Sequence, residues 1–260
     1  MTVKGIDVSH WQGDIDFKKV AQDPQRIKFV ICKATEGVGY VDPRFDEYFL
    51  DAKRAGLHVG AYHFARVSKE FGLEKDAQEE AEHFLKTMSQ RTLDILPTLD
   101  IEWDKRAKGI SPQQIVDWVS AFSKTIEKAR GQKPMIYTGK NFWRYKLAKT
   151  DAFQDHVLWI AQYKRKLSQI PGWDATLWQK TAKARVLGIN GNVDMNVLLG
   201  DDLTKIMKTK PEESDRMISG PEQKQAIVQP SWLRDLLASF ADHFASIPSS
   251  SCGHNSLEQG

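Results

Sequence analysis

Two cysteines in a chain of 260 residues leave no basis for a disulfide framework. Cys32 lies inside the apolar run Phe29-Val30-Ile31-Cys32, where a buried free thiol is expected, and Cys252 sits in a Ser/Gly-rich tail. The chain contains no HExxH or CxxC spacing, so no metal or other cofactor is expected. It also lacks a nucleophile-elbow pattern, and Gly37-Val38-Gly39 does not have the spacing of a phosphate-binding loop. No window of about 18 apolar residues is present, so no transmembrane segment is expected. Lys105-Arg106 and Lys164-Arg165-Lys166 are short basic clusters on a chain of net charge +3, which reads as solvated surface with no nucleic-acid partner. Met1-Thr2-Val3-Lys4-Gly5-Ile6 leads almost directly into a strand, without the apolar segment of a signal peptide. The expectation is synthesis in the cytoplasm, with action elsewhere after release.

What the chain does have is an alternation of strands and helices over about its first 200 residues. Strand-like runs fall at 5–9, 27–33, 57–64, 95–102, 134–138, 157–162, 175–179 and 193–196. Helical patterns fall between them, at 43–55, 73–88 and 111–130. The last of these opens with Ser111 as N-cap, Pro112 in the first turn and Gln114 completing a capping box. Repeated strand–helix units with apolar strands imply a parallel sheet covered by helices, here an irregular TIM-like βα-barrel of the α/β class. The catalytic unit is expected to span 1–204, followed by a proline-containing linker over 205–230. An amphipathic helix at 231–247 and a tail to 260 complete the chain. Two roles fit that helix: docking or self-association, or contact with a membrane envelope.

In a parallel βα-barrel the site lies at the C-terminal strand ends. Leu96-Pro97-Thr98-Leu99-Asp100-Ile101-Glu102 is an apolar strand ending in two acids spaced i, i+2, which point to one face while Leu99 and Ile101 point to the other. Two adjacent carboxylates cannot both ionise freely, so one keeps its proton, as glycosidic-bond hydrolysis requires. Asp7 and Ser9 share a face at the end of the first strand. Tyr62-His63, Tyr137, Gln162-Tyr163 and Trp178-Gln179 end others, with His63 expected to be a satisfied core residue and Trp159 a core candidate.

Taken in order, several motifs resemble the family-25 glycoside hydrolases, the lysozymes (N-acetylmuramidases) of bacteria, fungi and phages. They are Asp7-Val8-Ser9-His10-Trp11-Gln12-Gly13, Lys33-Ala34-Thr35-Glu36-Gly37, Gly60-Ala61-Tyr62-His63-Phe64, Leu99-Asp100-Ile101-Glu102, Leu158-Trp159-Ile160-Ala161-Gln162-Tyr163, Trp178-Gln179 and Val193-Asp194-Met195-Asn196. The resemblance implies cleavage of the β-1,4 bond between N-acetylmuramic acid and N-acetylglucosamine, with peptidoglycan glycan strands as partner. It also implies Glu102 as proton donor and Asp100 as the assisting group, with Asp7 and Asp194 as further pocket carboxylates. Tyr62, Tyr137, Gln162 and Trp178 are the expected sugar contacts. A phage or prophage endolysin fits the missing leader. Two rival readings are a chitinase-type glycosidase and a catalytically weak wall-binding module.

Overall fold

The computed structural model describes residues 2–207 apart from 71, 148–150, 169 and 171. Nine strands form one sheet: β1 (Lys4–Val8), β2 (Ile27–Glu36), β3 (Tyr40–Val41), β4 (His58–Phe64), β5 (Thr98–Asp100), β6 (Met135–Gly139), β7 (Leu158–Ala161), β8 (Ala175–Ala184) and β9 (Val193–Leu198). The order is β1-β9-β8-β7-β6-β5-β4-β2-β3, and β1 also pairs with β2. That extra pairing closes eight strands into a barrel and leaves β3 as a short hairpin partner of β2. The helices α1 (Phe17–Ala21), α2 (Phe45–Arg54), α3 (Leu73–Thr87) and α4 (Pro112–Arg130) lie between strands in the chain.

The fully parallel sheet expected from the sequence needs one correction. Pairings from β1 through β2, β4, β5, β6, β7 and β8 are parallel, but β9 runs antiparallel to both β8 and β1. The reason is chain length. Only residues 185–192 separate β8 from β9, too few for the crossover helix that a parallel return requires.

Side-chain alternation sorts the apolar residues into two layers. Phe29, Ile31, Ile95, Leu96, Met135, Trp159, Leu177, Leu198 and Ile206 pack inside the barrel. Val30, Cys32, Val59, Leu99, Ile101, Ile136 and Ile160 pack outward with the helices, joined by Phe84, Trp118 and Phe122. Gly5 is required by this interior, because a Cβ there would lie 2.3 Å from the Phe29 ring. Helix α4 begins as its sequence predicts: Ser111 Oγ accepts from Gln114 N, and the Gln114 side chain accepts from Ser111 N. It ends at Gly131, whose φ of 71° is the left-handed C-cap conformation.

The packed chain continues past residue 204. Leu203–Ile206 forms a 3-10 turn, Ile206 is buried, its carbonyl accepts from Leu96 N, and Met207 bridges to Ile95. Most of the expected linker and all of the 231–247 helix lie outside the described residues. No helix among the described residues is long and apolar enough to cross a membrane.

Candidate active site

The chain beyond β5 stays extended because its neighbours hold it on both sides. Ala65 N donates to Asp100 O, and Ile101 N donates to Tyr137 O. Leu99 and Ile101 are buried in the outer layer, so Asp100 and Glu102 both turn to the barrel mouth. Asp100 is buried, and its Oδ1 has no hydrogen-bond partner. Burial first, then the charges of Glu102 and Asp7, push its pKa well above the usual carboxylate range. Glu102 is raised as well, by burial and then by Asp194, while Lys33 and Arg66 oppose the rise in both acids.

Across the mouth, Asp7 on β1 stands opposite Asp194 on β9. Burial and the Asp194 charge raise Asp7 to about 8, and burial raises Asp194 to about 6. Two oriented amides temper the Asp7 shift. Trp159 Nε1, which can only donate, gives its hydrogen to Asn196 Oδ1, so Asn196 Nδ2 is left to donate to Asp7 at 2.7 Å. Tyr137 and Tyr163 both donate their hydroxyls to Gln179 Oε1, leaving Gln179 Nε2 to donate to Asp7 at 3.0 Å. The mouth therefore holds four carboxylates in a poorly solvated space, retains protons near neutral pH, and favours any positive charge that develops within it.

A basic network flanks the acids. Lys33 Nζ meets Glu36 at 2.5 Å, Arg66 bonds the same carboxylate through Nε and the guanidinium tip, and it also contacts Asp104. Arg66 thereby ties the segment that carries Glu102 to the end of β2.

The structure brings together Asp7, Asp100, Glu102, Asp194, Tyr62 and Tyr137. It places two of the expected sugar contacts elsewhere, because they fall on the opposite parity of their strands. Trp178 packs in the outer layer and donates to Gln162 O, and the Gln162 amide clasps Ser168 through both its backbone groups. The residues that do face the mouth there are Gln179, Trp159 and Tyr163, with Asn196 on β9. The i, i+2 argument applied to Asp100 and Glu102 selects Asn196 from Asp194, and Gln179 from Leu177. Arg66 leaves no such signal, since its partners are distant in sequence. His63 is a core residue: fully buried, it meets Thr35 and Glu80 at 2.7 Å each and stacks on Phe122. Cys32 is a buried free thiol, with its pKa pushed up by burial.

Among the described residues, exposed aromatic rings are confined to the C-terminal end of the barrel. Among the described residues, Trp11, Tyr40, Trp103, Tyr145 and Tyr163 are the exposed aromatics, and all follow the C-terminal ends of barrel strands. An acidic, proton-retaining mouth rimmed by aromatic rings suits a neutral polysaccharide that acquires positive charge as it reacts.

Residues 6–189 match the family described as Glycosyl hydrolases family 25. The chain belongs to this family. It is 36% identical over 204 residues to the uncharacterized protein YegX of Escherichia coli O157:H7, covering 77% of this chain and 71% of that one. It is 32% identical over 209 residues to lysozyme M1 of Streptomyces globisporus, covering 76% and 68%. Among solved structures, the bacterial lysozyme of Streptomyces coelicolor superposes with a TM-score of 0.69 at 30% identity, covering 79% of this chain and 95% of that one. As a family-25 member the chain is a glycoside hydrolase of the lysozyme and muramidase group, with the barrel expected from its sequence. Membership supports peptidoglycan hydrolysis as its activity.

Proposed function

We propose that the barrel mouth cleaves the β-1,4 bond between N-acetylmuramic acid and N-acetylglucosamine, with Glu102 as general acid and Asp100 as the group that assists the substrate. The observation that carries this reading is the placement of both acids on one side, at the end of one strand, with Asp100 Oδ1 buried and without a partner. A protein nucleophile must approach the sugar from the face opposite the acid, and neighbours at i, i+2 do not. Asp7 is already engaged by Asn196 and Gln179. The acetamido oxygen of the substrate is therefore the nucleophile the geometry favours.

In the first step Glu102 transfers its proton to the glycosidic oxygen, the bond from that oxygen to C1 breaks, and the acetamido oxygen bonds C1 from the other face. The positive charge spreads over the cyclic oxazolinium ion, whose N–H is held by Asp100. Water then attacks C1, the ionised Glu102 takes its proton, and the ring opens with the original configuration restored. The Asp194 charge helps hold the Glu102 proton before reaction and stabilises the cation during it, while Asp7 adds to the acidity of the mouth. Tyr62 and Tyr137 supply ring surface and hydroxyls beside the acids.

Mass spectrometry of a purified peptidoglycan digest tests the bond assignment. Fragments with muramic acid at the reducing end are expected. Fragments with reducing-end N-acetylglucosamine overturn it.

A further inference from the structure

The turn that follows β1 is held more firmly than its length requires. Ser9 caps the 3-10 turn His10–Gln12 in a reciprocal capping box with Gln12, and Gly13 closes it at a φ of 64°. Asp42, itself buried, accepts from His10 N at 3.1 Å and bonds His10 Nδ1 at 2.8 Å. The Tyr40 hydroxyl lies 3.2 Å from the same ring nitrogen, and His83 bonds the Tyr40 carbonyl. None of these contacts uses the Trp11 side chain: only its backbone N–H takes part, donating to Ser9 Oγ, and its ring is 81% exposed, more than any other large apolar side chain among the described residues. Its ring centroid is 4.7 Å from that of His10, and His10 lies 6.2 Å from Tyr40. Trp11, His10 and Tyr40 together form a contiguous exposed ring cluster on a rigid turn, a surface suited to contact with a ligand.

This surface adjoins the acids. Lys33 Nζ sits 5.6 Å from the Tyr40 ring and 5.0 Å from the Phe64 ring, and the same ammonium acts on both Asp100 and Glu102. Lys33 thus packs against the Tyr40 ring on one side and acts on the acids of the mouth on the other. A flat apolar ring bordered by an imidazole and a phenol matches a pyranose, which presents a C–H face and a rim of hydroxyls.

We propose that Trp11, with His10 and Tyr40, forms an accessory subsite that holds a sugar ring of the glycan strand beyond the residues at the cleaved bond. The proposal rests on the lysozyme reading above and extends it to strand length: longer glycans gain a contact that short ones cannot reach.

The test uses the full chain carrying Glu102→Gln, so that strands bind without turnover. Its probes are peptide-free glycan strands prepared as tetra-, hexa- and octasaccharides, with affinity read by calorimetry. Affinity is expected to rise with length. Adding Trp11→Ala is expected to abolish that rise, an effect of about tenfold on the longest strand, whereas Trp11→Phe retains most of it. Thermal melting of each variant checks that the turn remains folded. A length-dependent rise that survives Trp11→Ala overturns the subsite, and so does the absence of any rise. A Trp11→Ala loss seen only on strands that carry stem peptides also overturns it, assigning the ring to peptide. Wild-type protein that cuts no peptidoglycan contradicts the lysozyme reading itself, a failure distinguishable from all of these.

Discussion

Asp7 and Asp194 face each other in register on the neighbouring antiparallel strands β1 and β9. Burial and this opposing charge raise Asp7 from 3.8 to about 8 in the folded chain. A carboxylate whose folded pKa exceeds its unfolded value binds its proton more tightly when folded. Its contribution to stability is then full below the unfolded pKa and declines as pH rises toward the folded one. The free enzyme is expected to lose stability between about pH 4 and pH 8 through this group. Asp7→Asn, which removes the charge and keeps the shape, should raise the melting temperature at pH 8 by a few degrees, with little change at pH 4 and with impaired catalysis. Calorimetry of both proteins across that range checks this. An equal shift at every pH contradicts it.

The orientation of Asn196 is set by Trp159, and Asn196 in turn is a principal donor to Asp7. Asn196→Ala removes a hydrogen bond to the charged form, so the Asp7 pKa should move higher still, by about one unit. Trp159→Phe should act in the same direction but less, because the Asn196 amide is then free to turn. Carboxyl-carbon NMR titration of Asp7 reads both effects. A titration unchanged in Asn196→Ala shows that the amide does not control this proton.

Much of this site is legible in local sequence pattern, and the limits of that legibility follow from strand parity. The shared face of Asp100 and Glu102 and the cap at Ser111 are local features, and local spacing predicts both. Trp178 is conspicuous by its residue type, yet Gln179 is the neighbour that faces the mouth, since Leu177 fills the barrel and Trp178 packs in the outer layer. Alternation read from Leu177 selects Gln179, whereas attraction to the aromatic selects the wrong face. The reversed direction of β9 and the Arg66 network depend on contacts between distant segments, which no local period encodes.

Arg66 joins Glu36 to Asp104, two residues beyond the proposed acid. Arg66→Ala should lower kcat about tenfold through misplacement of Glu102, with KM changed much less. The network is partly exposed, so the stability loss should stay near or below about 1 kcal/mol. Arg66→Lys keeps the charge but not the paired geometry, and should recover part of the rate. Steady-state kinetics alongside melting curves separates these effects. A change confined to KM contradicts the positioning role.

The central claim is that the Glu102 proton cleaves the glycosidic bond. Release of reducing-end muramic acid from purified peptidoglycan by Glu102→Gln, compared with the wild type at equal concentration and matched folded fraction, tests it most directly. The amide cannot donate as the acid does, so a fall of about two to four orders of magnitude is predicted. Release at the wild-type rate contradicts the assignment.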